Sequence, residues 1–95
     1  MKSDRIKSWP KKERPRERLI AEGAEQLTDA GLVAILLRTG IEGKDAVTLA
    51  RELLKYFGGL RGLLNANKND LEKIKGLGIA KISQLLAATE IAEGT

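Results

Sequence analysis

The sequence predicts an all-α fold, a small bundle of five or six short helices that includes a helix-hairpin-helix pair. Three observations lead there. Apolar residues recur at spacings of three and four, no stretch alternates with the period of two that a strand needs, and Gly and Pro fall where helices should start or stop.

Pro15 suits a first helical turn, where its missing N–H would have no intrahelical partner, and Leu19, Ile20 and Ala24 supply a short apolar face ending around Gly23. Thr28 is a good N-cap with Asp29 in the turn behind it. Leu32, Val33, Ala34, Ile35, Leu36 and Leu37 then run without a polar break, the pattern of a helix buried all round, and Arg38 is expected to satisfy the carbonyls at its end. Thr39-Gly40-Ile41-Glu42-Gly43 punctuates the chain. A third helix carries Ala46, Leu49, Ala50, Leu53, Leu54 and Phe57 on one stripe, with Tyr56 at the core edge, and stops at Gly58-Gly59.

Leu60 to Ala66 can form a short fourth helix, and Asn67 caps a fifth with Asp70 near its first amides. Leu71 and Ile74 precede a Gly76-Leu77-Gly78 turn, after which Ile79, Ile82, Leu85, Leu86 and Ala92 mark the last helix. Helices this short are marginal alone and depend on mutual packing. A faint internal repeat is visible, since Ile35 to Leu54 and Leu71 to Ile91 share a plan of apolar helix, glycine-containing turn and apolar helix.

Ninety-five residues with 42% hydrophobic content suit one small domain. We read residues 1–14 as a flexible basic arm and 15–95 as the helix-hairpin-helix domain. The net charge is +4, but residues 1–18 hold eight Lys and Arg against three Asp and Glu, a net of +5, which leaves −1 for the rest. A polyanion partner is therefore suggested by the arm more than by the helices. Trp9, a lone aromatic in the arm, reads as a docking anchor or a disordered aromatic rather than a base-stacking platform. Cys and His are both absent, which removes disulfides, thiolate nucleophiles, imidazole acid–base chemistry and Cys/His zinc sites. The carboxylates sit beside Lys or Arg, as Glu52 does near Lys55, and read as solvated. The chain is thus expected to be non-catalytic, without metal or cofactor. No apolar run reaches membrane-spanning length and the N-terminus lacks a secretory apolar stretch, so no membrane partner and a cytoplasmic location are expected.

The chemistry concentrates in the second hairpin. A helix start leaves its first N–H groups without internal partners and carries partial positive charge. Thr28, Asp45 and Asn67 can fill their own helix starts with a side-chain oxygen, whereas the helix after Gly78 has no such filler. The amides of Ile79, Ala80 and Lys81 are then offered to water or a phosphate oxygen, with Gly76 and Gly78 able to take positive φ and let a phosphate approach the main chain. Lys73, Lys75 and Lys81 would add charge without reading bases. The DNA phosphate-binding residues expected are thus Lys73, Lys75, Gly76, Leu77, Gly78, Ile79, Ala80 and Lys81. The same turn also fits a plain C-cap and reversal with Leu77 plugging the core. In the first hairpin Asp45 would occupy the phosphate position, so that site is expected to be degenerate.

Several blocks in order resemble the N-terminal helix-hairpin-helix region of bacterial RadC-type proteins: Arg14-Pro15-Arg16-Glu17-Arg18-Leu19, Ala30-Gly31-Leu32-Val33-Ala34-Ile35-Leu36-Leu37-Arg38-Thr39-Gly40, Leu49-Ala50-Arg51-Glu52-Leu53-Leu54, Phe57-Gly58-Gly59-Leu60 and Ile74-Lys75-Gly76-Leu77-Gly78-Ile79-Ala80-Lys81. The resemblance covers nearly the whole chain after the arm. It implies a SAM-like helical domain, linked by family name to DNA repair, that precedes a JAB/MPN metalloprotease-like domain with a His-x-His zinc site. This chain has no His and stops at Thr95, about where that domain would begin, as an isolated or truncated N-terminal region would, so no metal or protease role is carried to any residue. Its turn differs from the commonest hairpin form, which has Pro where Ile79 stands, and Ile79 adds an N–H donor. The partners implied are DNA backbone or, alternatively, the protein's own C-terminal domain, a second copy or another repair protein.

Overall fold

A computed structural model describes residues 14–94; apart from Arg14, the arm assigned to residues 1–14, Trp9 included, lies outside them. Among the described residues the fold is all-α: α1 (Pro15–Glu22), a 3-10 turn (Ala24–Gln26), α2 (Asp29–Leu37), α3 (Ala46–Phe57), α4 (Leu60–Leu64), α5 (Lys68–Glu72) and α6 (Ile79–Glu93). An isolated antiparallel bridge pairs Ile41 with Lys44. The described residues divide within α3 into two units, the first ending at Arg51 and the second beginning at Glu52.

In the first unit α1 packs on the 3-10 turn and on α2. Pro15 sits at the helix start, and Gly23 (φ 92°) ends it by donating its N–H to Leu19 O at 3.0 Å. Arg18 Nη2 ties α1 to the 3-10 turn, reaching Glu22 Oε1 at 3.3 Å and Gln26 O at 3.2 Å. Pro15 is buried and Leu19 half-buried, but Ile20, expected on the same face, is 86% exposed. One residue on from Leu19, it is rotated off the side that meets α2. Thr28 caps α2 as expected, its hydroxyl accepting from Gly31 N at 3.0 Å.

Helix α2 is buried on one side rather than all round. Val33, Ala34 and Leu37 are buried while Leu32, Ile35 and Leu36 are half-exposed, because a helix of nine residues in a small unit can be covered on one side without being enclosed. At its end the Arg38 main chain, not its side chain, satisfies the carbonyls: the Arg38 N–H donates to Ala34 O and Ile35 O at 3.1 and 3.2 Å. Arg38 has φ 70° and ψ −50°, and Thr39 N–H reaches Leu37 O at 2.8 Å, which makes a γ-turn centred on an exposed arginine.

Helix α3 shows the stripe the spacing predicts, with Ala46, Leu49, Ala50 and Leu53 at 3% exposure or less; Val47 is buried beside them. It closes in a Schellman motif, Gly59 N–H to Leu54 O at 2.7 Å and Gly58 N–H to Lys55 O at 3.4 Å, with both glycines at positive φ. Tyr56 is 60% exposed instead of lying at the core edge, its ring set edge-on to Phe57 at 4.9 Å.

In the second unit α6 packs on α4 and α5, burying Leu63, Leu71, Leu77, Ile82 and Leu85. Helix α5 has only five residues and is held by a capping box: Asp70 N–H to Asn67 Oδ1 at 2.8 Å and Asn67 N–H to Asp70 Oδ2 at 3.2 Å. Asn67→Ala removes the first bond, and a urea-unfolding midpoint lowered by the equivalent of about 1 kcal/mol is expected. An unchanged midpoint would show that the box adds nothing to stability. Ile79 and Ala92, placed with Ile82 and Leu85 by spacing, are both exposed; they lie in the first and last turns of α6, on either side of the stretch that holds the buried Ile82 and Leu85.

Candidate nucleic-acid interface

The second hairpin forms as the local signals direct. The last bonds of α5 tighten to three-residue spacing, Lys73 N–H to Asp70 O at 3.3 Å and Ile74 N–H to Leu71 O at 3.1 Å. Leu77 N–H returns to Ile74 O at 3.1 Å, and Gly76 between them has φ 86°, a conformation that favours glycine. Leu77 is the buried member of the turn at 7% exposure and anchors it to the core. Lys73, Lys75, Gly76, Gly78, Ile79 and Ala80 are exposed and Lys81 is half-buried, so seven of the eight expected site residues reach solvent on one short segment.

Gly78 departs from expectation in an informative way. Its φ is −83° and its ψ 174°, extended backbone that any residue adopts, and a Cβ built there meets nothing within 4 Å. The fold therefore does not need glycine at 78 for conformation or space. What glycine does there is leave the α6 start without a side-chain cap, while its carbonyl accepts Ile82 N–H at 3.0 Å.

Lack of a side-chain cap is not confined to α6, although the residue types at the helix starts imply that it is. Helix α4 begins after Gly59, also without one, and α1 begins after Arg14 with Pro15 in its first turn. The spacing of Gly58-Gly59 reads as a helix stop, which hides its second role as the start of α4. With five residues against fifteen, α4 develops little of the aligned dipole that α6 has.

The first hairpin is self-filled as expected. Asp45 Oδ1 accepts from Thr48 N–H at 2.8 Å, so a carboxylate occupies the α3 start. Among the described residues no cluster of three His, Cys, Asp or Glu could hold a metal ion, and no helix is long and apolar enough to cross a membrane.

The family model described as UPF0758 N-terminal matches residues 6–83. A UPF0758 protein of Saccharophagus degradans is 59% identical over 87 residues, covering 92% of this chain and 39% of the relative. One of Halorhodospira halophila has the same identity and coverage, and one of Marinobacter nauticus is 54% identical over 85 residues, 90% of this chain and 38% of its own length. The chain thus spans about two-fifths of the length of the curated relatives it matches. No solved structure matches it.

Proposed function

The chain belongs to the UPF0758 N-terminal family, and from that premise we propose that it is a non-catalytic, RadC-like helix-hairpin-helix module that holds DNA backbone without reading sequence, in a cytoplasmic protein linked to DNA repair. One observation carries the reading: the fifteen-residue α6 starts at a glycine that neither conformation nor packing requires, with no side-chain oxygen at its cap. A phosphate oxygen received by the Ile79 and Ala80 amides would complete that helix end, in the geometry by which helix N-termini hold anions. Exposed Lys73 and Lys75 flank the turn and would add point charges, as would Lys81. None of these groups distinguishes one base from another, so affinity follows backbone charge.

Titration of the chain with duplex and single-stranded oligonucleotides tests this. Binding should appear at low salt and weaken linearly on a log–log salt plot, with a slope of about −0.9 per duplex phosphate neutralised. Deleting residues 1–14 should weaken binding and flatten that slope while leaving measurable affinity at the hairpin. If the deletion alone abolishes binding and Gly76→Asp with Gly78→Asp changes nothing, the hairpin is not the site.

The 81% exposure of Ile79 beside the turn favours a second reading, a protein-docking module for the protein's own C-terminal domain or another repair protein. That reading predicts no oligonucleotide binding in any of these titrations.

A further inference from the structure

Helix α6 packs on α4 and α5 with Ile82 and Leu85 buried, yet its apolar residues do not stop at that side. Ile79, Ser83, Ala87 and Ile91 follow one another at spacings of four and form a single ridge along the helix. All four are exposed, Ile79 at 81% and Ile91 at 69%. The order along the ridge is large, small, small, large, and it reads the same in both directions.

We propose that this ridge is a self-association surface on which a second copy of the chain docks its own α6 antiparallel. A twofold axis between Ser83 and Ala87 sets Ile79 of each copy against Ile91 of the other. The small residues at the centre let the two helices approach, and the isoleucines fill the space where they diverge. A lone helix of this kind would leave both isoleucines in water.

Charge selects the antiparallel orientation. Helix α6 has no acidic residue in its first turn and no basic residue in its last, where Glu90 and Glu93 stand exposed at the negative end of the helix dipole. Antiparallel docking brings Glu90, which follows Ala87 by three residues and Ser83 by seven and so flanks the ridge, alongside the other copy's uncapped, positive helix start. A parallel copy would stack like ends on like. Glu90 there and the phosphate proposed above are alternatives, so the test is made without nucleic acid.

The chain has no cysteine, which makes thiol cross-linking specific. Ile79→Cys and Ile91→Cys variants are oxidised separately and mixed, and wild-type and Ala87→Arg chains are sedimented over a range of concentrations. We expect a concentration-dependent dimer, a dissociation constant raised by about tenfold or more in Ala87→Arg with helix content intact, and a mixed cross-link in excess of either self-cross-link. A chain that sediments as monomer at every concentration overturns the proposal. So does a dimer that Ala87→Arg leaves unchanged, or an Ile79→Cys self-cross-link as abundant as the mixed one.

Discussion

Gly62→Ala is expected to destabilise the protein by on the order of 3 kcal/mol, the sign opposite to that of helix propensity. Gly62 lies within α4, and in a helix interior alanine is ordinarily favoured over glycine by about 1 kcal/mol. Here the added Cβ would overlap the Phe57 carbonyl oxygen and lie 2.8 Å from the Phe57 carbonyl carbon. Those are backbone atoms at the end of α3, and they cannot rotate aside as a flexible side chain can. The Gly58-Gly59 reversal is what brings them so close: with φ of 78° and 118°, it folds α4 back onto the last turn of α3. Relief would require breaking the Schellman bonds to Leu54 O and Lys55 O or lifting Leu63 from the core. Chemical unfolding of the two proteins decides the matter. A lowered midpoint supports the close approach, whereas a raised one means that propensity wins and the contact yields freely.

Gly62 also shows what kind of information a sequence withholds. Caps are local, so Thr28, Asp45 and Asn67 are legible from a polar residue before an apolar run, and each makes the bond its position implies. Helical spacing is local too, and it groups Leu49, Ala50 and Leu53 correctly. It says which residues share a face but not which faces a neighbour covers, and for that reason Ile20 and Ile79, which spacing assigns to the interior, stand in solvent. The γ-turn at Arg38 has no signal, since arginine carries none of the marks of a positive-φ position. In the candidate site the turn, its buried Leu77 and the uncapped α6 start are legible. The different roles of its two glycines are not, because the residue type is identical whether backbone conformation or open approach requires it.

That difference makes Gly78→Asp the decisive change at the site. Gly76→Asp would mix two effects, since φ 86° is strained for any side chain and a loss of binding could follow from a distorted turn. At Gly78 the backbone is extended and a Cβ meets nothing within 4 Å, so aspartate is accommodated and its carboxylate can accept from the first amides of α6, as Asp45 does for α3. Stability should hold or rise by a few tenths of a kcal/mol, because aspartate is a slightly better cap than glycine. Oligonucleotide affinity at low salt should fall by about tenfold or more, the equivalent of one or two charge-assisted hydrogen bonds. Gly78→Ala separates charge from bulk: it adds a Cβ without a carboxylate, so it should retain binding within about twofold while costing a little stability as a poor cap. If the turn serves only to reverse the chain, Gly78→Asp will melt at or above the wild-type temperature and bind oligonucleotide as wild type does. A folded variant with the affinity gone would place the phosphate at the start of α6.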